Sequence, residues 1–261
     1  MRYIVTGANG GMGRAICLAL CGQGHEVIGL DINVPEESAG VRYLRADVTD
    51  ENSVAQAVEA ACESGGIDGV IHAAGVYALG SLVEMGESGF LRAFNVNLFG
   101  VYRVNRMVRP YLNENARIVI ISSELAPLDP LPFTGIYAIT KAALEKYAYS
   151  LRMELQLSGC GVSVIRPGAV KTGMLPDSVK ALERFCGETR LYPVNAKRFR
   201  AIVEKIEARS VAPQKIANKA VRALESKRPR LVYCVNRNPL LLLLNALPHR
   251  AQLFVIRKVL S

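Results

Sequence analysis

The stretch RYIVTGANGGMG, residues 2–13, decides the fold, because an apolar run leads directly into a cluster of glycines. Such glycines permit a tight turn and let a pyrophosphate approach the backbone closely. The residues that follow, 12–22, predict a helix whose first N–H groups would point at the phosphates. This order indicates a dinucleotide-binding turn between a first strand and a first helix. The turn residues expected to contact the cofactor are Gly7, Asn9, Gly11, Met12 and Gly13.

Beyond this turn, short apolar runs alternate with longer amphipathic runs. The predicted strands are residues 2–6, 26–31, 41–46, 69–72, 117–122, 161–166 and 231–235. The predicted helices are residues 12–22, 53–64, 87–113, 137–157 and 213–226. This βαβα order predicts an α/β fold, a doubly wound parallel sheet of the Rossmann-like type, in one domain over residues 1–261. Within that domain we expect a helical substrate lid over 175–210 and a C-terminal extension, an apolar and basic tail, over 237–261.

The composition is that of a globular protein with a basic surface. Half of the 261 residues are apolar, and the formal net charge is +9, which suits an anionic membrane, nucleic acid or an acidic ligand without choosing among them. The six cysteines contain no C-x-x-C pair, so we expect reduced thiols and no metal site. We see neither a signal peptide nor an apolar run that could span a bilayer, and we expect a cytoplasmic protein.

Asp31 ends the second predicted strand, where a carboxylate suits the hydroxyls of an adenosine ribose. Its repulsion of a 2′-phosphate would be about 4 kcal/mol at ~4 Å and an effective dielectric of ~20. Neither Ile32, Asn33 nor Gly10 offers a cation to offset it. The sequence therefore favours NAD over NADP.

Tyr137 and Lys141 lie four residues apart, on one face of a predicted helix. A free tyrosine has a pKa of about 10. A lysine held close to the phenol lowers that pKa toward the neutral range. The pair therefore suits general acid–base chemistry. Taken alone, the same spacing is also common on exposed helix surfaces.

In this context residues 2–175 resemble the short-chain dehydrogenase/reductase family, whose nucleotide loop is T-G-x-x-x-G-x-G and whose catalytic motif is Y-x-x-x-K. Further motifs follow in the family's order. They are Asp47-Val48, Ala73-Ala74-Gly75, Asn97-Leu98-Phe99-Gly100, Ile121-Ser122-Ser123 and the segment from Pro167 to Thr172. One departure is that His72 and Ala73 replace the two asparagines of the family's N-N-A-G.

The resemblance implies a role for each matching residue. Tyr137 would be the general acid or base, and Lys141 would lower its pKa and bind the nicotinamide ribose. Ser123, which we prefer over Ser122, would donate to the substrate oxygen, and Asn97 would hold a water of a proton relay. The implied cofactor contacts are Asp47, Val48, Ala73, Ala74, Gly75, Tyr137, Lys141, Pro167, Gly168, Val170 and Thr172.

The substrate end is less constrained by the sequence. The presumed lid carries apolar side chains that could line a pocket, namely Met174, Leu175, Leu182, Phe185, Leu191 and Tyr192, and also several basic residues. A solvated helix pair explains the pattern equally well; the more specific interpretation is a site for a large apolar ligand with an anionic group.

The leading hypothesis is a NAD-dependent oxidoreductase for a hydroxysteroid or retinoid-like alcohol or ketone. The alternatives are a 3-oxoacyl thioester reductase and a catalytically silent NAD-binding regulatory protein. The segments 87–113 and 137–157 usually form the subunit contact in this family, which implies a homodimer or homotetramer.

The tail from Pro239 onward resembles the C-terminal segments of steroid- and retinol-type members of the family. Three explanations stay open: a lip over the substrate cleft, a subunit contact, or an anchor lying on a membrane surface. Packing against the protein itself is the simplest of them. Nucleic-acid binding is not expected, because no basic stripe with interleaved aromatic residues is present.

Overall fold

The computed structural model describes residues 1–36, 39–171 and 174–261, and of residues 174–179 it describes the backbone only. Within these residues, seven strands form one sheet in the order β3-β2-β1-β4-β5-β6-β7. The strands are β1 Arg2–Thr6, β2 Glu26–Asp31, β3 Arg42–Arg45, β4 Ile67–His72, β5 Leu112–Ile121, β6 Gly161–Pro167 and β7 Val232–Val235. Every pair of neighbouring strands is parallel. The predicted Rossmann-like sheet is confirmed.

The helices cover both faces of the sheet. They are α1 Gly11–Cys21, α2 Glu51–Cys62, α3 Glu87–Phe94, α4 Gly100–Val108, α5 Gly135–Leu155, α6 Met174–Glu188, α7 Pro193–Glu207, α8 Gln214–Glu225, α9 Pro239–Asn245 and α10 His249–Leu260. Residues of α1 and α8 share one buried apolar cluster, and residues of α2, α4 and α5 form two further clusters with the sheet. The sheet is therefore buried on both faces, as parallel sheets generally are.

The predicted single helix over 87–113 is wrong in its detail. Helices α3 and α4 are joined by a π-helical turn, Asn95–Phe99, and α4 is followed by a 3₁₀ turn, Arg109–Tyr111. Pro110 lies in that 3₁₀ turn and lacks the N–H that a continuing α-helix needs. The chain enters β5 at Leu112, which pairs with Ile67 of β4, so β5 begins five residues before its predicted start.

The other element boundaries differ from the predicted ones by at most two residues. One of these differences has a clear cause at the start of α2. The Asp50 side chain caps that helix by accepting from the backbone N–H groups of Asn52 and Ser53. A cap at this position stabilises the first turn, so the helix begins two residues earlier than predicted.

The carboxyl ends of the strands position the candidate site residues. The glycine turn follows β1, and Asp31 ends β2. His72 ends β4, and Ser123 comes two residues after the last residue of β5. Because all strands are parallel, these ends meet at one edge of the sheet, where open α/β sheets bind their ligands.

Candidate active site

The glycine turn is closed tightly against the end of β4. Gly7 has φ +64°, and a Cβ atom there would lie 2.6 Å from the backbone nitrogen of Ala74. A Cβ atom on Gly13 would lie 2.0 Å from the carbonyl oxygen of Gly7. The Ala73 N–H donates to the Thr6 carbonyl at 3.1 Å, which holds the two segments together. Side chains other than hydrogen do not fit at these two glycines.

The start of α1 suits the phosphates of a dinucleotide. Its N-cap residue, Gly10, makes no side-chain capping bond, and no acidic residue lies in the first turn. The partial positive charge at this helix end and its unpaired N–H groups are therefore available to an anion. The chain's own residues here fit the group that the sequence predicted.

The Asp31 carboxylate is held beside the glycine turn. It accepts from the backbone N–H of Asn9 at 2.9 Å and from that of Asn33 at 3.0 Å. The Asn9 side chain also donates to the Asn33 carbonyl at 3.1 Å. Arg45 is the register partner of Asp31 on β3, which places a cation on the neighbouring strand. The sequence did not indicate this neighbour, because it depends on strand register.

The segment Asp47-Val48 follows β3 and contacts the start of α4. Asp47 accepts from the backbone N–H and the hydroxyl of Thr49, at 2.8 and 2.7 Å. Gly100 packs on Val48 so closely that a Cβ atom there would lie 2.9 Å from the valine side chain. This contact fixes Asp47-Val48 relative to the helix that follows the Asn97 segment.

Tyr137 and Lys141 lie on α5, which packs on β6; Lys141 is buried and Tyr137 is half-buried. The Lys141 ammonium lies 5.8 Å from the centre of the Tyr137 ring and donates to the Ile121 carbonyl at 3.0 Å. The Ser123 hydroxyl lies close enough to the Tyr137 phenol to lower its pKa. The structure therefore brings together a phenol, an ammonium and a hydroxyl that were predicted from separate motifs.

Asn97 lies in the π-helical turn and is fully buried. Its side chain donates to the Val76 carbonyl at 3.0 Å and to the Thr140 hydroxyl at 3.1 Å, and it accepts from the Val76 N–H at 2.9 Å. A Cβ atom on Gly75 would lie 3.2 Å from Asn97 Oδ1 and 3.6 Å from Lys141 Nζ. Asn97 and Lys141 therefore converge on the same short loop after β4. π-Helical turns within α-helices are frequent at functional sites.

Burial sets the pKa values of the two central groups. It raises the pKa of Tyr137 to about 12, against a smaller lowering by the Ser123 hydroxyl. It lowers the pKa of Lys141 to about 8, against a smaller raising by the Glu145 carboxylate. The sequence analysis expected Lys141 to lower the pKa of Tyr137. In this structure that pKa is raised instead. Transferring a phenolate out of water costs more free energy than its interactions with neighbouring groups provide.

The two adjacent serines have different partners. Ser122 donates to the Glu145 carboxylate at 2.8 Å, and Glu145 also forms an ion pair with Arg166. Ser123 accepts from the backbone N–H of Leu125 at 3.2 Å, and its hydroxyl lowers the pKa of Tyr137. The Ser122 hydroxyl thus belongs to a polar group behind the sheet edge, whereas the Ser123 hydroxyl faces the phenol.

The segment after β6 lies next to the end of β7. The Gly168 N–H donates to the Val235 carbonyl at 2.8 Å, and a Cβ atom there would lie 2.0 Å from the Asn236 carbonyl oxygen. Val170 forms an isolated parallel bridge with Val211, which ties this segment to the chain after α7. Thr172, which the sequence places with the cofactor contacts, lies outside the described residues.

Three residues at the site were missed by the sequence analysis. Tyr77 packs edge-on against Tyr137, with ring centres 4.7 Å apart, and Thr140 supports Asn97. Glu124 directly follows Ser123, accepts from the Asn238 N–H at 2.6 Å, and has a pKa raised by burial. Only its position beside the candidate catalytic serine could have drawn attention to Glu124.

The lid helices form an apolar cluster of their own. Phe133 contacts Phe185, Tyr192 and Phe199, with ring centres 4.7, 5.4 and 5.5 Å apart. Leu182 is buried in the same cluster. Leu191 was expected to line a pocket, but it is mostly exposed because it lies in the turn between α6 and α7. The side chains of Met174 and Leu175 lie outside the described residues.

A carboxylate joins this lid to the loop after β4. Glu84 accepts from the Thr189 hydroxyl at 2.6 Å and from the backbone N–H groups of Arg190 and Leu191 at 2.8 and 3.0 Å. These bonds lower the pKa of Glu84, the Thr189 hydroxyl most strongly. The turn between α6 and α7 is therefore held next to the segment that leads into α3.

The C-terminal tail packs against the lid and the loop after Ser123. Leu260 is buried in the lid cluster, and the Asp129 carboxylate accepts from Asn245 and Gln252 at 2.9 and 3.1 Å. His249 lies 3.4 Å from the same carboxylate. Among the described residues, no helix has both the length and the apolar character that crossing a bilayer requires.

Comparisons with known proteins identify the family of this chain. Residues 2–183 match the family described as short chain dehydrogenase. A 3-ketodihydrosphingosine reductase of Bacteroides thetaiotaomicron is 31% identical over 228 residues, which cover 87% of this chain and 84% of that protein. The structure is also similar to a Thermoplasma acidophilum aldohexose dehydrogenase in ligand-free form, with a TM-score of 0.75, 26% identity, and coverage of 91% of this chain and 95% of the other.

A Brucella melitensis 3-ketoacyl-(acyl-carrier-protein) reductase complexed with NADH has the same fold, with a TM-score of 0.71 and 22% identity over 90% of this chain and 96% of the other. The family match spans the glycine turn, the Tyr137 helix and the strands between them. This chain is a member of the short-chain dehydrogenase/reductase family of oxidoreductases.

Proposed function

We propose that the protein transfers hydride between NAD and a secondary alcohol or ketone of a hydrophobic substrate. The observation that carries the proposal is the convergence of Tyr137, Lys141, Ser123 and Asn97 beside the glycine turn. A dinucleotide held at that turn would supply or accept the hydride through its nicotinamide ring. The protein's own groups then have to transfer one proton and to stabilise the charge that develops on the substrate oxygen.

Tyr137 is the proposed acid–base group. In reduction, its phenol gives a proton to the carbonyl oxygen while hydride bonds to the carbonyl carbon, which yields the alcohol and the oxidised cofactor. In oxidation, the phenolate takes the hydroxyl proton as hydride leaves the carbon. Lys141, whose pKa burial lowers to about 8, is the proposed donor to the nicotinamide ribose. The Ser123 hydroxyl donates to the substrate oxygen, where negative charge grows in the transition state.

NAD is the proposed cofactor because of Asp31. The backbone N–H groups of Asn9 and Asn33 hold its carboxylate at the end of β2, next to the turn. A 2′-phosphate placed there would meet this negative charge. Arg45 on the neighbouring strand would attract a 2′-phosphate, which acts in the opposite direction. We therefore expect NAD to be preferred and NADP still to be accepted.

A long-chain or polycyclic lipid is the proposed substrate class. Helices α6 and α7 bring Leu182, Phe185 and Phe199 together in a buried apolar cluster, and α9 adds further leucines near the loop after Ser123. The similarity to a 3-ketodihydrosphingosine reductase favours a long-chain 3-keto lipid. Hydroxysteroids and retinoid-like alcohols remain the other members of the same hydrophobic class.

Two alternatives stay in view. A 3-oxoacyl thioester reductase suits the net charge of +9, since a carrier protein for such thioesters would be acidic. A silent NAD-binding regulator is disfavoured, because the four proposed catalytic residues are all present and lie together. The choice between the two enzymatic proposals depends on the substrate tested.

We also propose that the protein is a homodimer or homotetramer. Helices α4 and α5 and the turn before α4 expose large side chains outside the core, among them Phe99, Tyr102, Tyr149 and Met153. Exposed apolar residues clustered on two helices are typical of a subunit contact. Light scattering of the purified chain measures the assembly directly.

The central experiment follows NADH or NADPH absorbance with a panel of long-chain 3-keto lipids, hydroxysteroids, retinols and 3-oxoacyl thioesters. We expect turnover with NADH on a hydrophobic ketone. Tyr137→Phe should lower kcat by roughly 100-fold or more, because it removes the proton donor. Its dinucleotide affinity should stay within about twofold, since no phosphate contact changes.

Tyr149→Phe is the matched control, because Tyr149 is an exposed tyrosine on the same helix. Unchanged turnover in Tyr137→Phe would remove the proposed acid–base group. Dinucleotide binding without turnover of any panel member would favour the silent regulator.

A further inference from the structure

The C-terminal helices α9 and α10 present large apolar side chains to solvent. Leu240 and Leu243 are 66% and 65% exposed, and Leu253 and Phe254 are each 68% exposed. Scattered exposed leucines are ordinary on protein surfaces. Here four such side chains lie within fifteen residues, on two consecutive helices, and exposed apolar residues concentrated in this way are typical of an interaction surface. We call these four residues, with the cations of α10, the tail surface.

The inner sides of the same helices are fixed to the protein. Gln252 and Leu260 of α10 are buried, and Ile256 packs against the lid cluster. Asn195 donates to the Leu260 carbonyl at 2.7 Å, and Asp129 binds side chains of both helices. The outward orientation of the tail surface is therefore set by packing on its opposite side.

The cations of α10 lie around Phe254. Arg250 is four residues before it, and Arg257 and Lys258 are three and four residues after it, so all four side chains share the solvent-facing side of the helix. None of the three cations forms an ion pair with an acidic side chain that the structure describes. Residues 226–261 also contain no aspartate or glutamate. Phe254 thus lies among three cations that are not paired with any acidic side chain the structure describes.

We propose that the tail surface docks onto an anionic lipid membrane. An exposed apolar group surrounded by lysine and arginine matches the boundary between acyl chains and charged headgroups. Each basic residue near such a surface contributes about 1 kcal/mol of attraction. The mode is a helix that lies in the plane of the surface, since no described helix is suited to span the bilayer.

Other occupants fit the tail surface less well. A second copy of the chain in a twofold contact would bring the same cations of each copy together, which is unfavourable. An acidic protein would satisfy the cations but would also need pockets for four protruding apolar side chains. A fluid lipid surface accepts both features without a shape requirement.

The helices that carry the tail surface also contact the loop after Ser123, next to the candidate active site. Leu125, Leu128 and Leu131 of the loop after Ser123 line a seam with Leu241 and Leu244 of α9, which also contains the polar side chains of Asp129, Asn245 and Gln252. Docking the tail surface would hold this seam at the membrane. A hydrophobic substrate could then reach the site from the bilayer, which is the one part of this inference that rests on the proposed function.

The test is co-sedimentation of the full chain with phosphatidylcholine vesicles, with and without phosphatidylglycerol as the anionic lipid. We expect binding only when phosphatidylglycerol is present, and weaker binding at high salt. Replacing two cations together, Arg250→Gln with Lys258→Gln, should lower the partition coefficient roughly 30-fold. Replacing two apolar residues together, Leu243→Ser with Phe254→Ser, should lower it at least as strongly, because the acyl contact is lost.

Two control variants remove cations, or an exposed leucine, outside the tail surface. Arg222→Gln with Lys227→Gln removes two exposed charges outside the tail surface, and Leu157→Ser removes a leucine that is 87% exposed at the end of α5. Both should bind vesicles nearly as the unchanged protein does. Dinucleotide binding and thermal unfolding of every variant report its folding, independently of any substrate.

Equal binding to both kinds of vesicle, or equal loss in the control variants, would overturn the proposal. A drop in assembly size in the apolar variant, with no vesicle binding by the unchanged protein, would show that the tail surface is a subunit contact and would equally reject the membrane. Capture of an acidic protein without vesicle binding would reject it as well.

Discussion

The cofactor end and the substrate end of this molecule are constrained in different ways. At the cofactor end, Gly7 and Gly13 leave no room for a β-carbon, because backbone atoms lie within 2.6 and 2.0 Å of its position. At the substrate end, a β-carbon on Gly187 of α6 would meet nothing within 4 Å. The first region is thus defined by backbone geometry and the second by replaceable side chains. A family can keep one chemistry and vary its substrates when its constraints are divided in this way.

The two ends also differ in how their polar groups are held. At the cofactor end, Asn97, Lys141 and His72 are buried and bonded to backbone or to buried side chains. At the substrate end, Glu84 and Asp129 bind neighbouring loops from exposed or half-exposed positions. Buried groups change free energy strongly when altered, whereas exposed ones do so weakly. Three substitutions test this contrast.

The largest effect is expected for Gly13→Ala. The new methyl group would overlap the Gly7 carbonyl oxygen, so the turn must move, at a cost of roughly 3 kcal/mol or more. Dinucleotide affinity, measured by calorimetric titration, should fall more than about 100-fold. Gly187→Ala is the control and should stabilise the fold by about 0.5–1 kcal/mol, since it lies in an open helical position. Similar effects of the two substitutions would contradict the contrast between the ends.

The next effect concerns His72, the last residue of β4. Burial lowers its pKa from 6.5 to about 4, and its ring bonds Asn105 at 2.8 Å. Between these two pH values the unfolded chain binds a proton that the folded chain does not. The stability contribution of the neutral ring is therefore full above pH 6.5 and is lost as the pH falls toward 4.

The free energy of unfolding of the unchanged chain should fall by about 2–3 kcal/mol over this pH range, given about 1.36 kcal/mol per pKa unit. His72→Asn should abolish this fall. Denaturant unfolding at a series of pH values compares the variant with the unchanged chain. As the pH falls from 6.5 to 4, the stability of the unchanged chain should fall relative to that of the variant. Parallel curves would mean that His72 does not titrate as its burial requires.

The smallest of the three effects is expected for Asp31→Ala. Removing the carboxylate lowers the repulsion toward a 2′-phosphate, and Arg45 on β3 is then unopposed. The ratio of kcat/KM for NADH over NADPH should fall by about tenfold. Glu59→Ala, which removes an exposed carboxylate on α2 outside the proposed cofactor contacts, should leave that ratio nearly unchanged. An unaltered ratio in Asp31→Ala would exclude Asp31 as the selecting residue.

The sequence by itself determined the sheet and the place of the turn. Strands such as Arg2–Thr6 and Glu26–Asp31 could be predicted to the residue, because continuous apolar runs bounded by polar residues leave little choice. Motifs spaced along the chain also identified Tyr137 and Lys141 as candidates. In both cases the information is local, carried by residues within a turn or two of each other.

Only the tertiary structure decided what depends on distant neighbours. Pro110 and the pairing of Leu112 with Ile67 ended a helix that periodicity alone would continue. Burial, which no local pattern reports, raised the pKa of Tyr137 and lowered that of Lys141. The outward orientation of Phe254 likewise follows from what α10 packs against on its other side. Local patterns fix elements because backbone bonding in helices and turns is short-ranged, whereas desolvation and packing depend on the whole fold.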